Sequence, residues 1–230
     1  MLVLNYHRVG TPHPKARYRG MYVTPRLLAW QIGLLKFRGY RFETLTKAVK
    51  SGCQKNVCVL TFDDGYLDNY ELGLPVLQSL QVPATVFVVT GSVGKSEVIW
   101  SEAGEQLPAS LMSWEQLNEL EKLGWEIGSH AADHVHLDQK PKAEQKHLIE
   151  LSWAHFKASL GHTPTSFAYP YGKLNGHTLE LLEALGCQAA VTTDDRGANT
   201  ANTPPLLLYR KPCRGHHVLH AIKSFSLLIS

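Results

Sequence analysis

The chain has 230 residues, enough for one larger domain, and its 44% hydrophobic and 19% charged residues are an ordinary globular composition. The net charge of +3 is too small to indicate a nucleic-acid partner, and no apolar run approaches the roughly 20 residues of a membrane span. The start, MLVLNYHRVG, lacks signal-peptide features. We therefore expect one domain over residues 1–230, cytoplasmic, or exported if an export signal has been removed.

Short apolar segments alternate with segments of helical periodicity. The predicted strands are Leu2–Tyr6, Val57–Phe62, Ala84–Val89, Trp125–Gly128, Ser166–Tyr169 and Gln188–Thr192. The predicted helices are Pro25–Phe37, Thr44–Ser51, Leu72–Leu80, Trp114–Leu123, Lys142–Leu160 and Thr178–Leu185. Residues 91–112 and 196–208 have no sustained period and are expected to be long loops. This α/β alternation favours a parallel sheet covered by helices, either open or closed into a barrel.

Chemically active residues follow four of these strands. His7 ends the first, Asp63 and Asp64 end the second, His130 follows the fourth, and a Tyr-Pro-Tyr-Gly turn at 169–172 ends the fifth. In parallel α/β folds the carboxyl ends of the strands open onto one face, where active sites are built. The sequence therefore predicts a catalytic site at this face.

The segment GSHAADHVHL predicts a metal site. His130 and His134 have the i and i+4 spacing that places two histidines on one side of a helical turn, within reach of one metal ion. Asp64 would complete a set of two histidines and one carboxylate, with positions left open for water and substrate. Two alternatives stay open: the histidines are solvated loop residues, or His136 replaces His134.

The two adjacent carboxylates are expected to have different roles. Only one can turn from the strand end towards a metal, and we assign that role to Asp64. Asp63 would then lie beside the attacking water, where a carboxylate accepts its proton. The alternative is that the pair caps the turn that DDGY favours.

TFDDG at 61–65, SHAADH at 129–134 and YPYG at 169–172 occur in this order. They resemble the motifs of the NodB-type polysaccharide deacetylases, carbohydrate esterase family 4, and the resemblance covers nearly the whole chain. It implies a distorted (β/α)7 barrel of the TIM type and the hydrolysis of N-acetyl groups on sugars. It also implies one divalent metal ion, usually zinc, with cobalt or nickel as alternatives.

The resemblance assigns roles to individual residues. Asp63 matches the family's general base, and Asp64, His130 and His134 match its metal ligands. The backbone N–H of Tyr171 matches its oxyanion donor. The implied reaction is hydrolysis of an N-acetylated carbohydrate to acetate and a free amino sugar.

The chain departs from the family pattern at two positions. Ala131 stands where the family has Ser or Thr after the first histidine, so one hydrogen bond within the loop is expected to be missing. Ala168 stands where the family has an arginine that steadies the base. Arg210, in LYRKPC, is the proposed substitute from another segment.

The general acid is expected at the front of the chain. The family's late LxxH motif has no clean copy, whereas LVLNYH is an apolar strand that ends in His7. This arrangement resembles the circularly permuted branch of the family, which includes poly-N-acetylglucosamine deacetylases. We therefore assign His7 as the acid, with His220 as the alternative.

Sugars stack on aromatic rings, and five aromatic residues near the predicted site are candidates for this contact: Tyr66, Trp100, Trp114, Tyr169 and Tyr171. The predicted substrate contacts are Tyr171, Tyr169 and Trp100, together with Arg210.

Two other functions remain open. One is a hydrolase of the same kind that acts on a small molecule or on a nucleotide-linked or lipid-linked sugar. The other is a carbohydrate-binding protein that keeps the fold without turnover, to which the changes at Ala131 and Ala168 give some weight. The presence of every proposed catalytic group favours the enzyme.

Overall fold

The computed structural model describes residues 1–100 and 107–214. These residues form a parallel sheet surrounded by helices. The strands are β1 Leu2–Tyr6, β2 Arg8–Val9, β3 Tyr22–Val23, β4 Arg41–Phe42, β5 Val57–Phe62, β6 Thr85–Val88, β7 Glu126–Ser129, β8 Ser166–Ala168, β9 Ala189–Val191 and β10 Lys211–Pro212. The helices are α1 Pro25–Phe37, α2 Leu45–Lys50, α3 Leu74–Ser79, α4 Trp114–Lys122, α5 Lys142–Leu160 and α6 Gly176–Ala184.

The main sheet runs in the order β10-β1-β5-β6-β7-β8-β9, with β4 also paired to β5. Every pairing in it is parallel. The segment that contains β10 joins both edges, because Leu208 bridges to Val191 of β9 and Lys211 pairs with Leu4 of β1. The seven strands on this path thus curl into the expected distorted barrel.

Alternation along β5 explains how the sheet is filled. Val57 and Val59 belong to a cluster with residues of β1 and β9 on the inner side of the barrel. Cys58, Leu60 and Phe62 belong instead to the cluster that packs against the helices. Because side chains alternate along a strand, Thr61 and Asp63 continue the inner row. All six residues of β5 are buried, as expected for a parallel strand covered on both faces.

Local signals in the sequence set several helix ends. Thr24 accepts a hydrogen bond from Leu27 N–H at the start of α1, with proline at the first helical position. Ser113 and Gln116 form a reciprocal capping box at the start of α4. Within the described residues, no helix combines the length and the apolar character needed to cross a membrane.

The structure confirms the fold class, and the predicted bounds of β1, β5, α1 and α5 agree with those observed. The remaining predicted elements differ by one or two residues at their ends. Four short strands were not predicted, namely β2, β3, β4 and β10, because two residues carry no detectable periodicity. The single domain over residues 1–230 stays a prediction.

Gly128 provides a test of the packing inside the barrel. A Cβ atom on this residue would lie 2.6 Å from two ring carbons of Phe87 and from Ser166 Oγ. We expect Gly128→Ala to lower the free energy of unfolding by about 1–3 kcal/mol, measured by urea denaturation, because buried neighbours must move.

Gly33→Ala is the matched control. Gly33 lies inside α1, and a Cβ there meets no atom within 4 Å. It should raise the free energy of unfolding by up to about 1 kcal/mol, since alanine is the better helix former. Equal effects of the two variants would contradict the packing described.

Candidate active site

The end of β5 separates the two adjacent carboxylates. Asp63 directly follows β5 and is still hydrogen-bonded to β1, because its N–H donates to Tyr6 O at 3.0 Å, whereas Asp64 adopts a left-handed backbone conformation with φ 73°. Gly65 follows with φ 77°. Both residues are 3% exposed, and their side chains have different partners.

Asp63 forms a buried ion pair with Arg210. The two Nη atoms of Arg210 donate to the two carboxylate oxygens at 2.6 and 2.8 Å. Arg210 also donates to Thr61 Oγ1 at 3.1 Å and to Thr192 O at 2.8 Å, so the guanidinium is held from several sides. Burial alone would raise the pKa of Asp63, but the charge and hydrogen bonds of Arg210 outweigh it and hold that pKa well below its usual range. Asp63 is therefore ionised.

Asp64 lies opposite two imidazoles. Its Oδ1 is 3.5 Å from His130 Nε2 and 3.4 Å from His134 Nε2. Potential ligand atoms of the three residues all lie within 4.8 Å of one another. Among the described residues they form the one cluster of this kind, and it contains the three predicted ligands.

Both imidazoles are oriented from behind. His130 Nδ1 is 2.7 Å from Ala168 O, which fixes this nitrogen as the N–H donor. His134 Nδ1 is 3.1 Å from the Tyr171 hydroxyl, which in turn donates to His134 O at 3.4 Å. We assign the proton of each ring to Nδ1 on this network. The lone pair of each Nε2 then faces Asp64.

The potential ligand atoms of Asp64, His130 and His134 therefore face one another, and neither Nε2 atom carries a proton. Burial lowers the pKa of both His130 and His134 to about 4, against the opposing effect of Asp63, so both rings are neutral at pH 7. Asp64 Oδ1 is buried and has no hydrogen-bond partner in the described part of the chain. Burial also raises the pKa of Asp64, a cost that a nearby cation removes. Two imidazoles and a carboxylate with an unsatisfied oxygen fit a divalent metal ion.

His7 approaches Asp63 from the neighbouring strand. It directly follows β1, whose Tyr6 pairs with Phe62 of β5, so His7 and Asp63 leave the sheet side by side. His7 Nε2 lies 3.9 Å from Asp63 Oδ2, and its side chain is 26% exposed. Asn69 holds the backbone by donating to His7 O at 2.8 Å. The imidazole thus borders both the Asp63 carboxylate and the cavity in front of it.

The turn after β8 is strained and tightly packed. Tyr171 has φ 57° and ψ 9°, an unusual conformation for a residue with a side chain. Gly172 follows with φ 69°, and a Cβ there would lie 2.1 Å from Thr193 Oγ1. The Tyr171 ring stacks on His136 with centroids 3.9 Å apart. The turn is therefore held in place from both sides.

A cavity of about 360 Å³ joins these groups. It is lined by most of the predicted site residues: His7, Asp63, Asp64, Tyr66, Trp100, His130, His134, Tyr169 and Tyr171. Arg210 lies behind Asp63 and is 1% exposed. His136 lines the cavity as well, outside the three-ligand cluster.

The prediction of a helical turn around the two histidines is wrong, and the structure does not support Trp114 as a sugar contact. The segment that carries His130 and His134 is an irregular loop. The loop is held by Ala131 N–H to Ser129 Oγ at 3.1 Å and by Thr90 N–H to Ala131 O at 3.1 Å, so Ser129 and Thr90 stabilise it around Ala131. Trp114 lies away from the cavity and packs edge-on against Phe156.

His220, the alternative to His7 as general acid, lies outside the described residues.

The sequence did not predict three residues of the cavity, namely Tyr18, Met21 and Thr193. Thr193 lies just after β9, so the rule that strand ends carry site residues, which predicted His7, could also have predicted Thr193. Tyr18 and Met21 belong to a segment without periodicity, and no sequence signal pointed to them.

The fold and the site define a barrel hydrolase with a candidate metal centre, and comparison with known proteins gives its family. Residues 50–190 match the family model described as polysaccharide deacetylase. Because this match covers more than half of the chain, the protein belongs to the polysaccharide deacetylase family. The predicted class, a carbohydrate deacetylase of the NodB type, is confirmed, and the metal dependence of this family agrees with the cluster at Asp64.

Individual relatives agree with this assignment. A putative polysaccharide deacetylase of Bacillus subtilis is 33% identical over 62% of this chain, and the match spans 47% of that relative's length. The poly-beta-1,6-N-acetyl-D-glucosamine N-deacetylase of Staphylococcus epidermidis is 27% identical, covering 92% of this chain and 77% of its own. The structure of the Streptococcus pyogenes deacetylase PplD in complex with acetate superposes with TM-score 0.81, at 25% identity, over 98% of this chain and 97% of that one.

The convergence on Asp64 predicts how metal binding responds to substitution. We expect Asp64→Asn and His130→Gln to lower the affinity for zinc, used as the probe, by at least about 100-fold, because losing a ligand costs more than losing a supporting hydrogen bond. Asp63→Asn should retain affinity within about tenfold, since Asp63 lies outside the cluster. The measurement is titration calorimetry.

His147→Gln, on the exposed side of α5, is the control for a lost histidine. Weak binding by Asp63→Asn together with tight binding by Asp64→Asn would reverse the assignment of the two aspartates.

The ion pair between Asp63 and Arg210 predicts a large loss of stability when it is broken. Arg210→Met leaves the buried carboxylate unpaired, and we expect it to lower the free energy of unfolding by about 3–5 kcal/mol in urea denaturation. Adding Asp63→Asn to Arg210→Met should restore part of the loss, because no buried charge remains. If the single and double variants unfold at the same urea concentration, the charge of Asp63 is not what Arg210 neutralises.

Proposed function

We propose that this protein removes the N-acetyl group from an N-acetylated amino sugar of a polysaccharide or glycoconjugate and releases acetate. The observation that carries the proposal is the position of Asp63. Its carboxylate lies 3.9 Å from His7 Nε2, and both residues line one cavity together with Asp64, His130 and His134. Hydrolysis of an amide needs a proton acceptor for water and a proton donor for the amine, and the two flank the same space.

We further propose that zinc occupies the cluster, held by Asp64, His130 and His134, with the ligand types that zinc favours. When bound, this ion supplies a Lewis acid for the carbonyl oxygen and lowers the pKa of water. The residues behind the cluster contribute orientation: Ala168 O and the Tyr171 hydroxyl keep both Nε2 atoms directed at one point.

The proton transfers are assigned to Asp63 and His7. Asp63 accepts a proton from the attacking water as the oxygen bonds to the acetyl carbon. The backbone N–H of Tyr171 donates to the oxyanion that forms, from a turn whose conformation is set before substrate arrives. His7 then gives a proton to the nitrogen as the C–N bond breaks, because an unprotonated amine is a poor leaving group. The products are acetate and the free amino sugar.

The ion pair with Arg210 suits this role for Asp63. Burial alone would raise the pKa of Asp63 and favour its protonated form, and a protonated carboxyl accepts no further proton. Bidentate hydrogen bonds also fix the plane of the carboxylate, so the base keeps one geometry. Arg210 was also predicted to contact substrate, but its ion pair favours the steadying role.

Aromatic side chains are proposed to hold the sugar. The Trp100 ring lies 5.0 Å from that of His134, and its Nε1–H donates to the Tyr66 hydroxyl at 2.8 Å, so it forms an ordered wall. Tyr171, in the turn after β8, lines the same cavity. Tyr169 is fully buried, and its hydroxyl donates to Leu206 O at 3.0 Å, which favours a packing role for that ring. A cytoplasmic location stays a prediction.

The division of labour between Asp63 and His7 predicts different responses to two substrates. His7→Gln should lower kcat for an N-acetylated chitooligosaccharide by at least about 100-fold. Its rate on 4-nitrophenyl acetate should change by less than about tenfold, because a phenolate leaves without a proton. Asp63→Asn should lower both rates steeply. Acetate release and nitrophenol absorbance are the measurements.

His147→Gln should leave both rates unchanged. Binding of the oligosaccharide by the zinc-loaded protein without release of acetate would instead support a carbohydrate-binding function. Near-normal activity of Asp63→Asn would contradict the assignment of the base.

A further inference from the structure

Arg8 directly follows His7 in the sequence, and an ion pair holds its side chain. Its Nε donates to Asp68 Oδ2 at 2.5 Å, and the Arg8 side chain is 20% exposed. Asp68 Oδ1 accepts from Val9 N–H at 3.0 Å, so one carboxylate joins the side chain of Arg8 to the backbone of β2. The guanidinium therefore has a defined position close to the end of β1, where His7 lies.

The Arg8 guanidinium contacts two tyrosine rings. Its central carbon lies over the Tyr66 ring, 4.2 Å from the ring centre, and over the Tyr22 ring at 4.9 Å. Tyr22 is opposite Arg8 in the parallel pairing of β2 with β3. A guanidinium is planar and weakly hydrated, which suits it to stacking on aromatic faces, whereas an ammonium is a compact and strongly hydrated charge. These contacts restrict where the two rings can lie.

Tyr66 transmits this restriction to the wall of the catalytic cavity. The Tyr66 hydroxyl accepts a hydrogen bond from Trp100 Nε1–H at 2.8 Å, and both residues line the cavity. Trp100 also contacts the His134 ring, with ring centroids 5.0 Å apart. Arg8 itself is not among the described residues that line the cavity, so it would act on a bound sugar through other side chains.

Tyr22 connects Arg8 to a second part of the wall. The strand β3 begins at Tyr22, directly after Met21, and both Met21 and Tyr18 line the cavity. Parallel pairing with β2 holds this strand in place. One guanidinium therefore lies where two wall segments, distant in the sequence, come together.

We propose that Arg8 is a positioning residue for carbohydrate binding, which stacks on Tyr66 and Tyr22 and so holds the aromatic wall, above all Trp100, where a sugar ring packs. The inference rests on the proposed function for the kind of ligand. A wall that is ordered before the sugar arrives loses less conformational freedom on binding, so the effect should appear in affinity. His7 and Asp63 have separate supports, from Asn69 and Arg210, and the chemical step should change little.

The test substitution is Arg8→Lys, which keeps a positive charge for Asp68 and removes the planar group. It should raise KM for an N-acetylated chitooligosaccharide, and weaken its binding in calorimetry, by at least about tenfold, with kcat within about threefold of wild type. The kcat/KM for 4-nitrophenyl acetate, which has no sugar ring, should change by less than about threefold and reports that the variant is folded.

Arg41→Lys is the matched control. Arg41 is exposed, its Nη2 donates to Gln54 Oε1 at 2.6 Å, and it is not among the described residues of the cavity. The same chemical change at this position should leave KM for the oligosaccharide unchanged.

A double-substitution cycle tests the route from Arg8 to the sugar. Trp100→Ala should itself raise KM, and adding Arg8→Lys should then raise it by less than about threefold further, because both residues act on the same wall. Additive effects of the two substitutions, or a fall in kcat with an unchanged KM, would overturn the inference.

Binding measurements separate this inference from the proposed function. If no acetate is released but the oligosaccharide binds and Arg8→Lys weakens that binding, the positioning role is supported and the proposed function fails. If Arg8→Lys releases acetate with the KM of the wild-type protein, the positioning role is overturned while deacetylation stands. An equal loss with 4-nitrophenyl acetate would show a general loss of structure and would also overturn the positioning role.

Discussion

Asp63 and Arg210 meet through hydrogen bonds of 2.6 and 2.8 Å inside a barrel from which both side chains are almost entirely hidden from water. Neither charge could stay there alone, because burying an unpaired ion costs several kcal/mol. Arg210 is positioned by Thr61 and Thr192, so its location depends on β5 and on the residue after β9. The ionised state of Asp63 thus requires a correctly closed barrel.

The neighbouring carboxylate has the opposite requirement. In the described part of the chain Asp64 pairs with no arginine, and its Oδ1 faces two imidazole nitrogens whose rings carry the proton on the far side. One backbone step with φ 73° is enough to place two adjacent aspartates in these different surroundings. The first is paired with Arg210, whereas Oδ1 of the second has no hydrogen-bond partner among the described residues and suits a cation.

Much of this arrangement could be predicted from the sequence, because it follows from parallel strands. The apolar runs of β1 and β5 are long enough to be recognised, and the rule that their carboxyl ends share a face brings His7 and Asp63 together. The part that was not predictable comes from tertiary contacts. The strand β10 has two residues, one of them proline, and the loop at His134 is shaped by Ser129 and Thr90. The Tyr171 hydroxyl orients His134, whereas the motif indicated a role for its N–H only.

The strand order explains why one strand end carries two carboxylates. Arg210 directly precedes β10 and His7 directly follows β1, and these strands lie on one side of β5 in the order β10-β1-β5. The imidazoles and the turn follow β7 and β8, on the other side. Proton transfer and metal binding are therefore assigned to opposite flanks of the barrel face, and the two carboxylates at the end of β5 lie between these flanks. A single carboxylate at its end could serve only one flank, so the adjacency of Asp63 and Asp64 is what joins the two halves into one site.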